Sequence, residues 1–369
     1  MNSQHRKVDS DLTVTTKKGH SKSILDLLNK TVLGTPGKLR YRHVQNNLHD
    51  EKISDITFIQ IKKRERVLGT AGFIERNITF NSTSLKALYV RYLSVYNPLK
   101  KQKRTRSNVS TQKKPNVLRS NIEKLFQKEL QKPFLKADQK GLYYAYVEAD
   151  NSLSKELCES FGFKEIRVIN TFLFSRFFPK NRDEVVALDK DKHESFSDSL
   201  RHFYNDHNFV FTDSLEDYGT CYVYKQNGEE IAGIRAIPVH WEIVEMPGWK
   251  GFMMLKVLPK IPFFKRFFKP DRLKFLAFDS LWYKPGHANK TQNLMEHACS
   301  DLGYFMGMIW QDEKSNTAKP LVTKNKLGLL YTINGVVKAN LMVRDIDMNS
   351  EDFSELKDKP AFVSAFDMI

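Results

Sequence analysis

Two stretches of the chain spell out the same succession of segments: strand, helix, hairpin, strand, helix, strand, helix, strand. Such a repeat calls for two copies of one supersecondary unit, and it rules out most layer architectures at once. In the first copy, "DLTVTT" (11–16) reads as a strand and "SKSILDLLNKTVLG" as a helix ending at Gly34. Ser21 or Ser23 is placed to cap that helix, and Ile24, Leu27 and Leu28 mark one apolar face. "ITFIQIKKRERVLGTAGFIERNITF" (56–80) reads as two strands around a charged turn, and "LKALYVRYLSV" (85–95) as a further β-branched and aromatic strand. A helix from about Leu118 to Gln131 leads into "GLYYAYV", then "EADNSLSKELCESFGFKEIRV" (148–168), a strand end, a helix and a returning strand. After Pro179 the order recurs. "EVVAL" and "SFSDSLRHFYNDH" are followed by "TCYVYKQNGEEIAGIRAIPVHW", a hairpin whose Asn227-Gly228 supplies the positive φ angles of a tight turn. The repeats are placed at 1–180 and 181–369, each a mixed β-sheet flanked by helices.

The chain has 369 residues, 41% hydrophobic and 12% aromatic, which suits two domains with real cores rather than a disordered polymer. No apolar run is long enough for a transmembrane helix, and the first 20 residues lack the apolar stretch of a signal peptide. Cys158, Cys221 and Cys299 stand alone, with neither a disulfide framework nor a metal-ligand spacing. The expectation is a cytoplasmic protein without a metal. A net charge of +16, from 59 basic and 43 acidic residues, favours anionic partners. These include nucleic acid, an anionic membrane face, a phosphorylated cofactor and an acidic carrier protein.

"LSVYNP" (93–98) and "ADNSLSKELCESFGF" (149–163) carry a resemblance to a known superfamily. They look like the fourth strand and the Asn-helix-Gly-Phe segment after the fifth strand of the GNAT (GCN5-related) N-acyltransferases, and the repeated order resembles that fold twice over. Asn151 is suited to cap its helix, and Gly162 to end it in the left-handed conformation. The resemblance implies an N-acyltransferase that moves an acyl group from acyl-CoA or acyl carrier protein to an amine. In that family the fourth and fifth strands splay, and the pantetheine arm of the donor pairs with the exposed edge of the fourth. Carried over, the donor runs along Leu93, Ser94 and Val95, with Asn151 beside it.

The chain departs from the family's glycine-rich pyrophosphate loop. Loop 99–119 holds eight Lys/Arg, no Asp/Glu and no glycine. Lys100, Lys101, Lys103 and Arg104 supply phosphate-binding charge there without the close backbone approach of glycine. In the second repeat "YKPGHANKTQ" keeps one glycine, Gly286. The family's usual acid, a tyrosine after the fifth strand, is replaced by Cys158 in the first repeat and by Val322 or Thr323 in the second. Candidates for proton transfer are therefore Cys158; Glu148, at the end of the fifth strand; Asp279, inside the apolar "FLAFDSLW"; and His287, in the loop after it.

Residues 247–275 interrupt the second repeat with "FFKRFFK" and flanking apolar residues. Aromatics mixed with lysines suit the headgroup boundary of an anionic bilayer; the same pattern also suits a packing segment covered by lysine stems. The insertion points to a lipid-like amine acceptor met at the inner face of a membrane. Two other functions fit the charge. One is a non-catalytic GNAT scaffold that binds nucleic acid through loop 99–119, although that loop lacks interleaved aromatics. The other is a tandem-GNAT transferase that takes its acyl group from aminoacyl-tRNA, as the peptidoglycan aminoacyl-transferases do.

Overall fold

The computed structural model describes residues 12–19, 21–43, 56–81, 83–95, 122–124, 130–136, 138–212, 215, 218–261, 264, 269–317, 319–322 and 326–369. The described residues divide into two compact units. One lies within 1–31, 45–75 and 88–139; the other comprises 32–44, 76–87 and 140–369.

In the first unit β1 (Leu12–Lys18) lies antiparallel to β3 (Thr57–Lys63). β4 (Arg66–Phe80) and β5 (Thr83–Val95) continue the order, and the tip of their hairpin, 76–87, belongs to the second unit. The Lys22–Lys30 helix buries Ile24 and Leu27, and its N-cap is Ser21, whose side chain accepts from Ile24 N.

The second unit is built on a mixed sheet flanked by helices. Its remaining strands are β2 (Arg40–His43), β6 (Gly141–Glu148), β7 (Lys164–Ser175), β8 (Val185–Ala187), β9 (Thr220–Gln226), β10 (Glu229–Glu245), β11 (Leu273–Tyr283), β12 (Met306–Asp312) and β13 (Val337–Ile346). They follow the order β6-β13-β7-β12-β11-β10-β9-β8, with β2 paired to the far end of β10. The β9–β10 turn has Asn227 at φ 52 and Gly228 at φ 82, as the Asn-Gly pair requires.

Two features of this sheet position the site. First, β13 lies between β6 and β7, antiparallel to both, and β7 pairs on its other side with β12. Strands from either side of residue 180 thus share one sheet, so the compact units do not follow the order of the repeats. Second, β11 and β12 are parallel and pair at only three positions, Leu276–Gly307 to Phe278–Ile309, before they separate. Every residue of β12 and residues Phe275 to Trp282 of β11 are buried, as expected of central strands covered on both faces. The Lys290–Leu302 helix packs Leu294, Met295, Ala298 and Cys299 into the same core as Phe278 and Ile309. A second cluster carries Phe196 and Leu200 of the His193–Phe203 helix together with Val223 and Trp282.

The wedge left by β11 and β12 is filled by the chain itself. Asp279 on β11 and Asp312 on β12 each accept a backbone N–H from the last segment, from Ala365 at 2.7 Å and Ala361 at 2.8 Å. Each carboxylate is also held by a buried arginine. Arg235 donates to both Asp279 oxygens at 2.7 and 2.6 Å, and Arg167 grips Asp312 in the same forked way, with Nε at 2.5 Å. A third contact joins Asp367 to the Tyr144 hydroxyl at 2.7 Å and to Arg76. Burial and the adjacent Asp367 carboxylate push the Tyr144 hydroxyl well above its usual pKa.

Candidate active site

β6 ends at Glu148, where a short turn leads to Asn151. The Asn151 side chain accepts from Ser154 N at 3.1 Å and so caps the Ser152–Ser160 helix. Gly162, at φ +82, ends that helix, and Phe163 N returns to Cys158 O at 3.1 Å. The sharp reversal leaves Glu148 facing the segment before β2. There Thr35 donates to Glu148 Oε2 twice, from its backbone N at 3.1 Å and from its hydroxyl at 2.7 Å. One carboxylate oxygen is fixed in this way, and the other has no protein partner among the described residues.

Glu148 forms part of the wall of a cavity of about 290 Å³. Its other walls are mostly apolar: Tyr41 from β2, Trp241 from β10, Met306, Met308 and Trp310 from β12, and Met368 from the last segment. Tyr41 stacks on Trp241 with ring centroids 3.8 Å apart, and Trp241 meets Phe275 edge-on at 4.7 Å. The indole N–H of Trp241 is buried without a partner among the described residues. A larger cavity of about 460 Å³ shares Met254, Met306 and Leu330 with the first and extends to Trp249, Phe264 and Ile333. A single carboxylate in an apolar cavity is suited to hold an ammonium head and to accept its proton, while the walls cover the rest of the molecule.

The other sequence candidates are scattered. Cys158 sits half-buried on its helix, and burial, helped by Glu159, pushes its thiol up to about 11, so it is neutral at physiological pH. Asp279 is fully buried in the clamp described above, with both oxygens engaged. Gly286, at φ +83 in the turn after β11, is exposed, and His287 beside it donates its backbone N–H to Lys284 O. None of these four lines either cavity. In the first unit Leu93 is exposed, whereas Ser94 is buried with no partner for its hydroxyl among the described residues. Val95 closes β5. Lys100, Lys101, Lys103 and Arg104 lie outside the described residues. Sequence reading missed Thr35, Trp241, Asp312 and Tyr144, which meet Glu148, Tyr41, Arg167 and Asp367 across more than 100 residues of chain. Among the described residues no group of three or more His, Cys, Asp or Glu is placed to hold a metal ion.

The parallel pair that separates after three positions lies in a mixed α+β fold, a mixed sheet flanked by helices. Solved structures of Saccharomyces cerevisiae N-myristoyltransferase with bound myristoyl-CoA are similar to this chain. Two of them have a TM-score of 0.58 at 10% identity; each covers 98% of this chain, with 87% and 91% of its own chain matched. A third, with myristoyl-CoA and inhibitors, has a TM-score of 0.56 at 10% identity over 95% of this chain and 85% of its own. At this identity the likeness is one of fold. No family model matches the sequence, and no curated protein gives a significant match.

Proposed function

We propose that the protein is an N-acyltransferase that takes an acyl group from acyl-CoA and passes it to a lipid-like amine at a membrane surface. Glu148, doubly bonded to Thr35 at the wall of an apolar cavity, carries this reading. The donor is bound by the strand carrying Leu93, Ser94 and Val95, with its phosphates met by Lys100, Lys101, Lys103 and Arg104. The amine nitrogen attacks the thioester carbonyl, the C–S bond breaks, and CoA leaves as the thiolate. Glu148 accepts the proton lost by the nitrogen, directly or through water, and the thiolate is protonated on release. The similar yeast structures hold myristoyl-CoA, which agrees with a CoA thioester as donor. Purified protein given acyl-CoA should release free CoA thiol with a long-chain amine and not with short polar amines. Hydrolysis alone, or transfer to glycine as readily as to the long-chain amine, would refute the assignment.

The donor side has its own expected outcome. Changing Lys100, Lys101, Lys103 and Arg104 together to alanine should weaken CoA binding by at least about tenfold and flatten its dependence on salt. Isothermal titration at two ionic strengths checks this, and unchanged binding would move the donor site to the second repeat.

The membrane side rests on the 247–275 segment. Trp249 and Phe252 are 73% and 61% exposed, Phe178 is 68% exposed, and the segment also exposes Lys256, Lys260, Lys269, Arg272 and Lys274. Phe264 turns inward, edge-on to Phe177 at 6.0 Å, whereas Phe263, Phe267 and Phe268 lie outside the described residues. No described helix is long and apolar enough to cross a membrane. Aromatics insert at the headgroup boundary, and each lysine or arginine near an anionic surface contributes about 1 kcal/mol. Trp249→Ser with Phe252→Ser should therefore reduce sedimentation with vesicles containing phosphatidylserine by about tenfold or more, with the melting temperature unchanged. Wild-type protein that ignores such vesicles would refute membrane attachment.

A further inference from the structure

The larger cavity contains one charge, and nothing in the acyl-transfer reading uses it. Arg176, the residue after β7, lines this cavity among Phe177, Trp249, Met253, Leu258 and Phe305. Its guanidinium lies over the Phe174 ring, 4.6 Å from the centroid. Nη1 donates to Ser175 O at 2.7 Å and Nη2 to Lys326 O. Among the described residues no carboxylate pairs with it. Glu296, the acid that acts on it electrostatically, is bonded instead to Arg182 at 3.4 Å. The neighbouring Cys299 thiol is pushed far up by burial and stays neutral. Burial lowers the Arg176 pKa, but a guanidinium remains charged at any biological pH.

The chain is shaped to keep this cation in place. Gly328 has φ +89, and a Cβ there would lie 2.2 Å from Ser175 O and 2.8 Å from Arg176 Nη1. Only a glycine lets the 326–328 segment close over the guanidinium. A half-buried cation held by carbonyl oxygens and an aromatic face, with no carboxylate bonded to it among the described residues, leaves an electrostatic deficit that an anion would meet. The cavity, at about 460 Å³, is within the usual size for a ligand site and is otherwise apolar.

We propose that this cavity binds a single-chain amphiphile with an anionic head, a long-chain carboxylate, whose head meets Arg176 and whose chain lies along Met253, Leu258 and Phe305. Glu148 does not line this cavity, although the two cavities share three wall residues, and binding alone tests the site, whether or not acyl transfer occurs.

The probes are dodecanoate and dodecanol, which share a chain and differ in charge, together with dodecyl phosphate, each titrated calorimetrically below its aggregation concentration. Dodecanoate should bind at least about tenfold more tightly than dodecanol, the size of one charge-assisted hydrogen bond. Arg176→Gln should bring the two within about twofold, and Arg176→Lys should keep part of the preference. Ile333→Trp, which fills the larger cavity alone, should abolish dodecanoate binding. Equal binding of dodecanoate and dodecanol to the wild-type protein would overturn the proposal, as would a preference that survives Arg176→Gln. Tighter binding of dodecyl phosphate than of dodecanoate would overturn the carboxylate assignment. Should Arg176→Gln fail to fold, the wild-type preference and Ile333→Trp decide between the same outcomes.

Discussion

Glu148→Gln should lower the turnover of acyl transfer by about 10²–10⁴-fold, the range expected when a positioned general base is lost. The amide is nearly isosteric with the carboxylate and can still accept from Thr35 N and Thr35 Oγ1, so the local fold should hold. Only the ability to take a proton disappears. The binding of acyl-CoA, measured without an amine present, should therefore match the wild type, and the melting temperature should not move. Thr35→Val leaves the carboxylate but removes its shortest hydrogen bond, and should cost about tenfold through loss of positioning. A Glu148→Gln enzyme whose turnover stays within about threefold of the wild type would remove this residue from the chemistry.

Asp279→Asn should destabilise the fold by roughly 3–5 kcal/mol, the cost of leaving one partner of a buried ion pair uncompensated. The Arg235 side chain is almost wholly buried and forks onto both oxygens of Asp279. The substitution keeps an acceptor for Ala365 N but removes the carboxylate charge that the guanidinium grips from both sides. Asp312→Asn should behave alike, because Arg167 is as deeply buried and Ala361 N depends on the same carboxylate. Removing Lys38, whose pair with Asp150 is largely exposed, should change stability little. Urea unfolding of the three variants gives the comparison. Equal midpoints for Asp279→Asn and Lys38→Ala would show that the clamp does not hold the last segment. The effect should also reach the site, since Met368, at the end of the clamped segment, lines the cavity that contains Glu148.

The clamp also recasts Asp279. An acid inside "FLAFDSLW" looks like a group awaiting a proton, because a carboxylate in an apolar strand is costly unless something pairs with it. Arg235, 44 residues earlier on the neighbouring strand, is that partner, and the register of β10 against β11 brings the two side by side. No local pattern around residue 279 carries this information.

Local chemistry determined the segments themselves. Alternating and β-branched runs became strands, Asn227-Gly228 became the tight turn, Ser21 and Asn151 became helix caps, and Gly162 became the left-handed helix end. These are short-range effects of φ freedom and side-chain capping, so the sequence carries them directly. The repeated order of segments likewise pointed to the fold class. Strand order did not follow from it, because β13 enters between β6 and β7 from almost 200 residues away, driven by burial on both faces rather than by any local preference. The same long-range pairing decided the site. Glu148 ends a strand in the sequence, but the tertiary structure sets Thr35 against its carboxylate and an apolar cavity beside it, since side chains far apart in the chain meet only once the sheet has formed.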